Sequence, residues 1–393
     1  MKVLASCWLK TMLLRFLGYG VLIAVFAALI HVYVVYPLYV KKLPYFANAF
    51  RAGFDVECRA AVPTGLDDLL RQISLPFFSL DGQLVFIDSK GHVGRCGVNT
   101  GVAPNAEIFR FASMTKVLTG VAMLEVAESL SISLNTPVVS YFPELSLEKV
   151  QDERVLRITL RHLLNHSSGL GGPFGSDNMI KQGESPWCPD NLAAMETIRL
   201  AGEPGTNHLY SNVAYCLLGE VISRVSGVEY QKYIEQNYLS QYPSLQFIQG
   251  EFLPTEPAYD FSNDYRFDES YVSWLDFHAI APAAGLMGKP EEFARLVWHL
   301  YRDNPDVLNA ANLQQCREKG LDRCYSNTFV IHEGDNGIKV GVQQGYLPGA
   351  SSLVAISSRG EVLVWTAPGA PLEAKYRDRM AGEVVKLLLN QHE

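Results

Sequence analysis

Between Arg15 and Lys41 the chain runs for 25 residues, Phe16 to Val40, without a single Asp, Glu, Lys or Arg. A helix needs about 20 predominantly apolar residues to cross the hydrocarbon of a bilayer, so the run restricts this end of the chain to a membrane anchor, a signal peptide or a buried core helix. A cleaved signal would have an apolar region of about 7–15 residues ahead of a small-residue cleavage site. Here bulky VYVVYPLYVKK follows VLIAVFAALI, which favours an uncleaved anchor. His31 and Pro37 interrupt the run, and a tilted or kinked span tolerates both. Lys2, Lys10 and Arg15 stand on one side and Lys41, Lys42 and Arg51 on the other; the amino-terminal charge tips the orientation slightly towards the N-terminus inside. The expected organisation is a short basic tail (1–15), a transmembrane anchor (16–40), a linker (41–60) and one domain (61–393) outside the cytoplasm, on the periplasmic or extracellular side.

The same boundary separates the charge. Residues 1–45 hold five Lys/Arg and no acid, which leaves 28 basic against 41 acidic side chains in the remainder, a body of −13 within a chain of −8. Such a body repels phosphate backbones, so no nucleic-acid partner is expected. With 48% hydrophobic residues over 393 positions, a large core is available, and a disulfide-stapled peptide, a collagen and a disordered tail are excluded. Six cysteines follow the span: Cys58, Cys96, Cys188, Cys216, Cys316 and Cys324. An oxidising compartment permits pairing, with Cys58–Cys96 and Cys316–Cys324 as local candidates, whereas Cys216 inside AYCLLGEVI reads as a small buried residue. No CxxC occurs, and neither a metal nor a cofactor is expected.

Residues 83–97 read as two short strands around a Ser-Lys-Gly turn, and 113–130 as a helix with a broad apolar stripe. From about 137 to 320 helical patterns and long loops dominate. Strand character returns in NTFVIHE, GIKVGVQQ, SSLVAIS and EVLVWTA, and a helical stretch over 373–391 closes the chain. The fold class expected is α+β: an antiparallel sheet flanked by N- and C-terminal helices, with a large all-α subdomain inserted.

Ser113-Met114-Thr115-Lys116 is the sharpest candidate for chemistry. A serine and a lysine three apart on a helix share a face. The hydroxyl needs a base before it can attack a carbonyl, and a lysine among apolar neighbours loses hydration, which favours its neutral, proton-accepting form. The pattern alone is weak, because Ser146-Leu147-Glu148-Lys149 repeats it among Glu144, Asp152 and Glu153. His162 and His166 have the i, i+4 spacing of two metal ligands, but Leu163 stands where HExxH needs Glu. Asn165-His166-Ser167-Ser168-Gly169 half-matches a nucleophile elbow, with Asn165 in place of the first glycine. Both read as structural.

Order and company add weight to Ser113. Beyond SMTK, the chain carries Arg161-His162-Leu163-Leu164-Asn165-His166-Ser167-Ser168-Gly169-Leu170, then Pro204-Gly205, Tyr210-Ser211-Asn212, Ala284-Gly285-Leu286 and Gly345-Tyr346-Leu347-Pro348-Gly349. Over most of 80–390 it resembles the serine β-lactamase and penicillin-binding-protein family, in particular its branch of class C β-lactamases, esterases and D-peptidases. The resemblance implies the β-lactamase/transpeptidase-like version of the expected fold, with Ser113 as nucleophile and Lys116 and Tyr210 as the proton-transfer pair. It also implies Asn212, Gln343, Gly345 and Tyr346 around a small-molecule or peptide substrate. Tyr325-Ser326-Asn327 repeats the Tyr-x-Asn letters but lies only 18 residues before Gln343, so Tyr210 and Asn212 are preferred.

The family's third motif is Lys-Thr-Gly or His-x-Gly, and the aligned residues here are Gln343-Gln344-Gly345. A neutral glutamine cannot replace the cation electrostatically, which puts avid recognition of penicillins or of a C-terminal D-Ala carboxylate in doubt. The backbone N–H groups of Ser113 and Tyr346 remain as an expected oxyanion hole. Residues 251–280 interleave seven acidic residues with eight aromatic ones and one arginine, a composition that suits a cationic or neutral, partly apolar substrate. The expected function is a membrane-anchored serine hydrolase acting on an ester or amide bond. The alternatives are a catalytically impaired relative serving as a binding or scaffold module, and a true β-lactamase or DD-peptidase.

Overall fold

Alternation along a single strand explains the layering. In Gln83–Ile87, Leu84 and Phe86 join one buried cluster while Val85 and Ile87 join another, because successive strand side chains point to opposite faces. The computed structural model describes residues 2–35, 54–59, 63–74, 82–98, 107–171, 178–259, 268–308, 324–370 and 374–390, with positions 47, 50 and 261. Residues 1–48 and 49–393 form separate units.

In the first unit, α1 (Lys2–Val35) is one continuous helix. Its segment Gly18–Val35 is fully exposed, long and apolar enough to cross a membrane. Residues 36–40 of the expected span lie outside the described residues.

The second unit opens with β1 (Val56–Arg59), α2 (Leu66–Ser74), β2 (Gln83–Ile87), β3 (Val93–Val98) and β4 (Phe109–Arg110). Helices α3 (Thr115–Ser129), α4 (Leu160–Leu164), α5 (Asn212–Ser226) and α6 (Tyr230–Ile234) follow, then β5 (Gln246–Phe247), α7 (Phe277–Ala284), β6 (Leu286–Gly288) and α8 (Pro290–Asp303). The chain ends with β7 (Cys324–Ser326), β8 (Phe329–Glu333), β9 (Lys339–Leu347), β10 (Ala350–Ser357), β11 (Val362–Pro368) and α9 (Ala374–Asn390).

The main sheet has the order β1-β3-β2-β11-β10-β9-β8-β7 and is antiparallel throughout. Leu70, Trp365, Val384 and Leu388 belong to the cluster on one face, where α2 and α9 pack. Val354 and Val364 belong to the larger cluster on the other, with α3, α5, α7 and α8. Strands β10 and β11 are buried along their whole length, which is why they read as near-continuous apolar runs. This is the antiparallel sheet flanked by helices, with a helical insertion, that the sequence predicts.

Three differences have physical reasons. Much of 138–196 is a chain of short 3₁₀ turns rather than long helices, because its apolar residues come in groups of two or three between prolines, glycines and charges. A second sheet, β4-β6-β5, is two to three residues deep, too short for any periodic signal. Strand β1 lies within the segment expected as linker; it is an edge strand in which Cys58 faces Cys96 in register and is disulfide-bonded to it.

Cys216 is not a lone buried thiol. It is bonded to Cys188, which joins the loop before residue 190 to α5. Cys316 lies outside the described residues.

Candidate active site

Ser113 sits on a short 3₁₀ turn, Ala112–Met114, that runs directly into α3. Ala112 has φ 49°, a left-handed backbone that costs an L-residue roughly 1–2 kcal/mol. Neighbours hold the turn there: Phe111 N–H donates to the Leu286 carbonyl (2.9 Å), Ser352 Oγ to the Phe111 carbonyl (2.7 Å) and Thr115 Oγ1 to the Ala112 carbonyl (2.7 Å). Helix α3 is buried on every side through Met123, as expected of a central helix apolar all round.

One turn on, Lys116 is 0% exposed. Its Nζ donates to Ser113 Oγ (3.1 Å), Asn212 Oδ1 (2.7 Å) and the Ala283 carbonyl (2.9 Å). It also lies 4.9 Å from the Tyr210 ring centre and 5.4 Å from that of Tyr215. A buried ammonium requires such acceptors and ring faces. From the opposite side the Tyr210 hydroxyl donates to Ser113 Oγ (2.7 Å). Tyr210 is 40% exposed, so its phenol stands between the buried lysine and the open cleft.

The segment 161–171 places Tyr210. The Leu209 N–H donates to the His166 carbonyl (2.7 Å) and the Ser211 N–H to His166 Nδ1 (3.2 Å), while the His166 ring lies 4.4 Å from that of Tyr210. A Cβ on Gly171 would fall onto the carbonyls of Leu209 and Tyr210, so this position admits only glycine. Ser211 then caps α5 by accepting from the Ala214 N–H (3.1 Å), which leaves Asn212 at the helix start facing Lys116. Because Nδ1 accepts, the His166 proton resides on Nε2. Burial, and then the Lys116 charge, push the His166 pKa well below its usual value.

Strand β9 passes behind the serine. A Cβ on Gly345 would meet the Phe111 carbonyl oxygen and Ser352 Oγ, and would lie 3.1 Å from the Ser113 nitrogen. Gly345 and Tyr346 line the cleft. Gln343 is in the site but buried: its Nε2 donates to the carbonyls of Ser113 (3.1 Å) and Gln344 (3.2 Å), and its Oε1 accepts from the Tyr325 hydroxyl (2.6 Å). The second Tyr-x-Asn copy therefore supplies a neighbour of the site, which sequence spacing passed over. The unmet need created by a neutral residue at 343 was the only signal for it.

The cleft, of about 420 Å³, reaches from Ser113, Tyr210 and Asn212 to Trp274, Leu275, Ile280, Leu347 and Pro348. Ile180, Arg377 and Asp378 also line it, and no motif in the sequence marks them. Of the acidic and aromatic stretch, residues 260 and 262–267 lie outside the described residues. In the rest, Glu256 is buried and bonded to Arg110 (2.7 Å). The Arg110 guanidinium lies 4.4 Å from the Phe252 ring centre and donates to the Tyr271 hydroxyl (2.8 Å). The cation that these residues hold is thus the chain's own Arg110, and their other face, Tyr271 and Trp274, walls the cleft.

The rejected patterns have structural roles. His162 Nδ1 accepts from the Thr159 N–H in a capping box at α4, Ser167 donates to Asn165 Oδ1 (2.6 Å), and Lys149 is exposed on its own 3₁₀ turn.

The chain is similar to known proteins in both sequence and fold. The chain is 28% identical over 352 residues to a protein of Dichelobacter nodosus called putative fimbrial assembly protein FimD, serogroup D, covering 87% of this chain and 88% of that one. Among solved structures it is similar to a penicillin binding protein from Bacillus halodurans (TM-score 0.61, 19% identity, 81% of this chain and 99% of that one). It is similar also to the D-amino acid amidase from Ochrobactrum anthropi SV3 in complex with L-phenylalanine (TM-score 0.59, 17% identity, 88% and 99%). Residues 81–370 match the Beta-lactamase family model, and the chain belongs to the β-lactamase family of serine hydrolases.

Proposed function

We propose that the chain is a membrane-anchored hydrolase that cleaves an ester or amide bond through an acyl-enzyme on Ser113. The observation that carries this reading is the position of Ser113 Oγ, within hydrogen-bonding distance of both Lys116 Nζ (3.1 Å) and the Tyr210 hydroxyl (2.7 Å). The step needs Lys116 as the free amine: as Oγ attacks a carbonyl carbon, its proton passes to Lys116, directly or through the Tyr210 hydroxyl. The carbonyl oxygen takes the negative charge beside the N–H groups of Ser113 and Tyr346. Collapse breaks the bond to the leaving group, which receives the proton, and water then hydrolyses the ester on Ser113. Asn212 keeps Lys116 aimed at the serine.

The cleft's apolar wall suits an aromatic or branched aliphatic acyl group. Anchoring rests on α1, and a domain outside the cytoplasm is supported by the two disulfides, which persist in an oxidising compartment. The test is labelling of the full-length protein in detergent with a fluorophosphonate, read by intact mass. One adduct on the wild type, none on Ser113→Ala and strongly slowed labelling of Tyr210→Phe are expected. A wild type that labels no faster than Ser113→Ala would point instead to a binding module.

A further inference from the structure

Lys116 has to exist in two forms. As a free amine its two N–H groups are taken by Asn212 Oδ1 (2.7 Å) and the Ala283 carbonyl (2.9 Å), which leaves the lone pair for the Ser113 hydroxyl at 3.1 Å. As the ammonium it has three N–H donors for the same three oxygens. The polar contacts therefore serve both forms, and ring faces do not, because a ring quadrupole attracts a cation far more than an amine.

Two rings face Nζ, that of Tyr210 at 4.9 Å and that of Tyr215 at 5.4 Å. Tyr215 is wholly buried and stands three residues after Asn212 on α5, so the two share a helix face. Its hydroxyl is committed elsewhere: it donates to the carbonyl of Leu164 (3.0 Å), the last residue of α4, where a helix leaves carbonyls without an internal partner. Burial, and then Tyr210, push its phenol well above the usual range, so it exchanges no proton in the reaction. What Tyr215 offers Lys116 is its ring.

Resting on the acyl-enzyme reading, we propose that Tyr215 is a further residue of the proton-transfer machinery, a positioning residue that acts through Lys116 by stabilising the ammonium formed when Ser113 attacks. As the Ser113 Oγ–carbon bond forms, the Oγ proton moves to Lys116 Nζ; as the bond to the leaving group breaks, that proton passes to the departing atom. The charge lasts only between these two events, so a contact that is stronger with the ammonium lowers the barrier more than the ground state. It also makes the free amine scarcer at low pH, which gives the test its sign. His166 adjoins both rings, 4.4 Å from that of Tyr210 and 5.1 Å from that of Tyr215, with Tyr325 (4.7 Å) and His208 (5.7 Å) beside it. Burial, and then the Lys116 charge, hold His166 unprotonated, so the ring it presents to them is neutral.

Graded fluorination of the ring tests this. It drains the negative face at nearly constant shape, so the variants differ in charge attraction and not in packing. With the full-length protein in detergent, Tyr215→Phe is the reference, and 3,5-difluorophenylalanine and 3,4,5-trifluorophenylalanine are installed at the same position. The rate of fluorophosphonate labelling of Ser113 is followed against pH by intact mass. From reference to trifluoro ring, the alkaline plateau is expected to fall roughly threefold while the acid limb moves to lower pH by about one unit. A displaced lysine would lower the plateau without that ordered shift. The same series in place of Phe142, a buried ring beside Arg224, should leave the limb where it is. A flat series at Tyr215, a limb that moves up, or an equal shift at Phe142 would overturn the role of Tyr215 and leave the acyl-enzyme standing. Labelling of the wild type no faster than Ser113→Ala would overturn both.

Discussion

The Tyr325 hydroxyl donates to Gln343 Oε1 across 2.6 Å, and the same amide holds the Ser113 carbonyl. A neutral pair thus braces the nucleophile's backbone from β9. Tyr325→Phe removes the donor and leaves a buried acceptor unpaired, at about 1–3 kcal/mol. The expected result is kcat lowered roughly 10–100-fold, because the pair holds the carbonyl of the serine that attacks. Steady-state kinetics on a neutral ester check it, and an unchanged kcat would reject the bracing role.

Gly345→Ala places a methyl group on the Phe111 carbonyl oxygen and Ser352 Oγ. Neither the β9 backbone nor the Ser113 turn can withdraw without breaking its own hydrogen bonds. Destabilisation of about 1–3 kcal/mol and loss of nearly all Ser113 labelling are expected, measured by thermal melts and by fluorophosphonate rate.

Glu256→Gln leaves Arg110 buried without its carboxylate. Breaking a buried ion pair from one side costs about 3–5 kcal/mol. Because Arg110 also holds the Tyr271 hydroxyl, the cleft wall should loosen, raising KM for aromatic acyl substrates. Urea denaturation and KM measurements together distinguish this from a purely local defect.

His166 is buried and its pKa is pushed below the ordinary value. Between its folded pKa and about 6.5, the unfolded chain binds a proton that the folded chain refuses, so stability is full above about pH 6.5 and falls as pH drops towards the folded pKa. The slope is about 1.4 kcal/mol per pH unit. His166→Phe should be less stable at pH 8, having lost the acceptor for the Ser211 N–H, yet show a shallower decline between pH 6.5 and 5. Denaturant midpoints across that range are the check; an equal slope would place the titration elsewhere.

What the sequence made legible follows from burial. Strands β10 and β11, covered on both faces, announce themselves as apolar runs, and α3 as an apolar helix carrying Ser113 and Lys116. The ordered motifs brought Tyr210 and Asn212 to the same serine across about a hundred residues. The rest depended on contacts with no local period. Cys188 and Cys216 meet only through the tertiary fold, the β4-β6-β5 sheet is too short to alternate, and Arg377 and Asp378 reach the cleft only because α9 begins beside β9. Tyr325 was invisible for a different reason: its three-letter repeat looked redundant, and its use emerges only from the neutral residue at 343.

The strand order carries one more consequence. Strand β1, the first strand after the apolar helix, lies at the sheet edge, five places from β9; at about 4.8 Å per strand that is roughly 24 Å. Strand β1 therefore lies on the far side of the sheet from the strand that backs Ser113. A cut before β1 would leave the whole sheet and the Ser113 cleft in place.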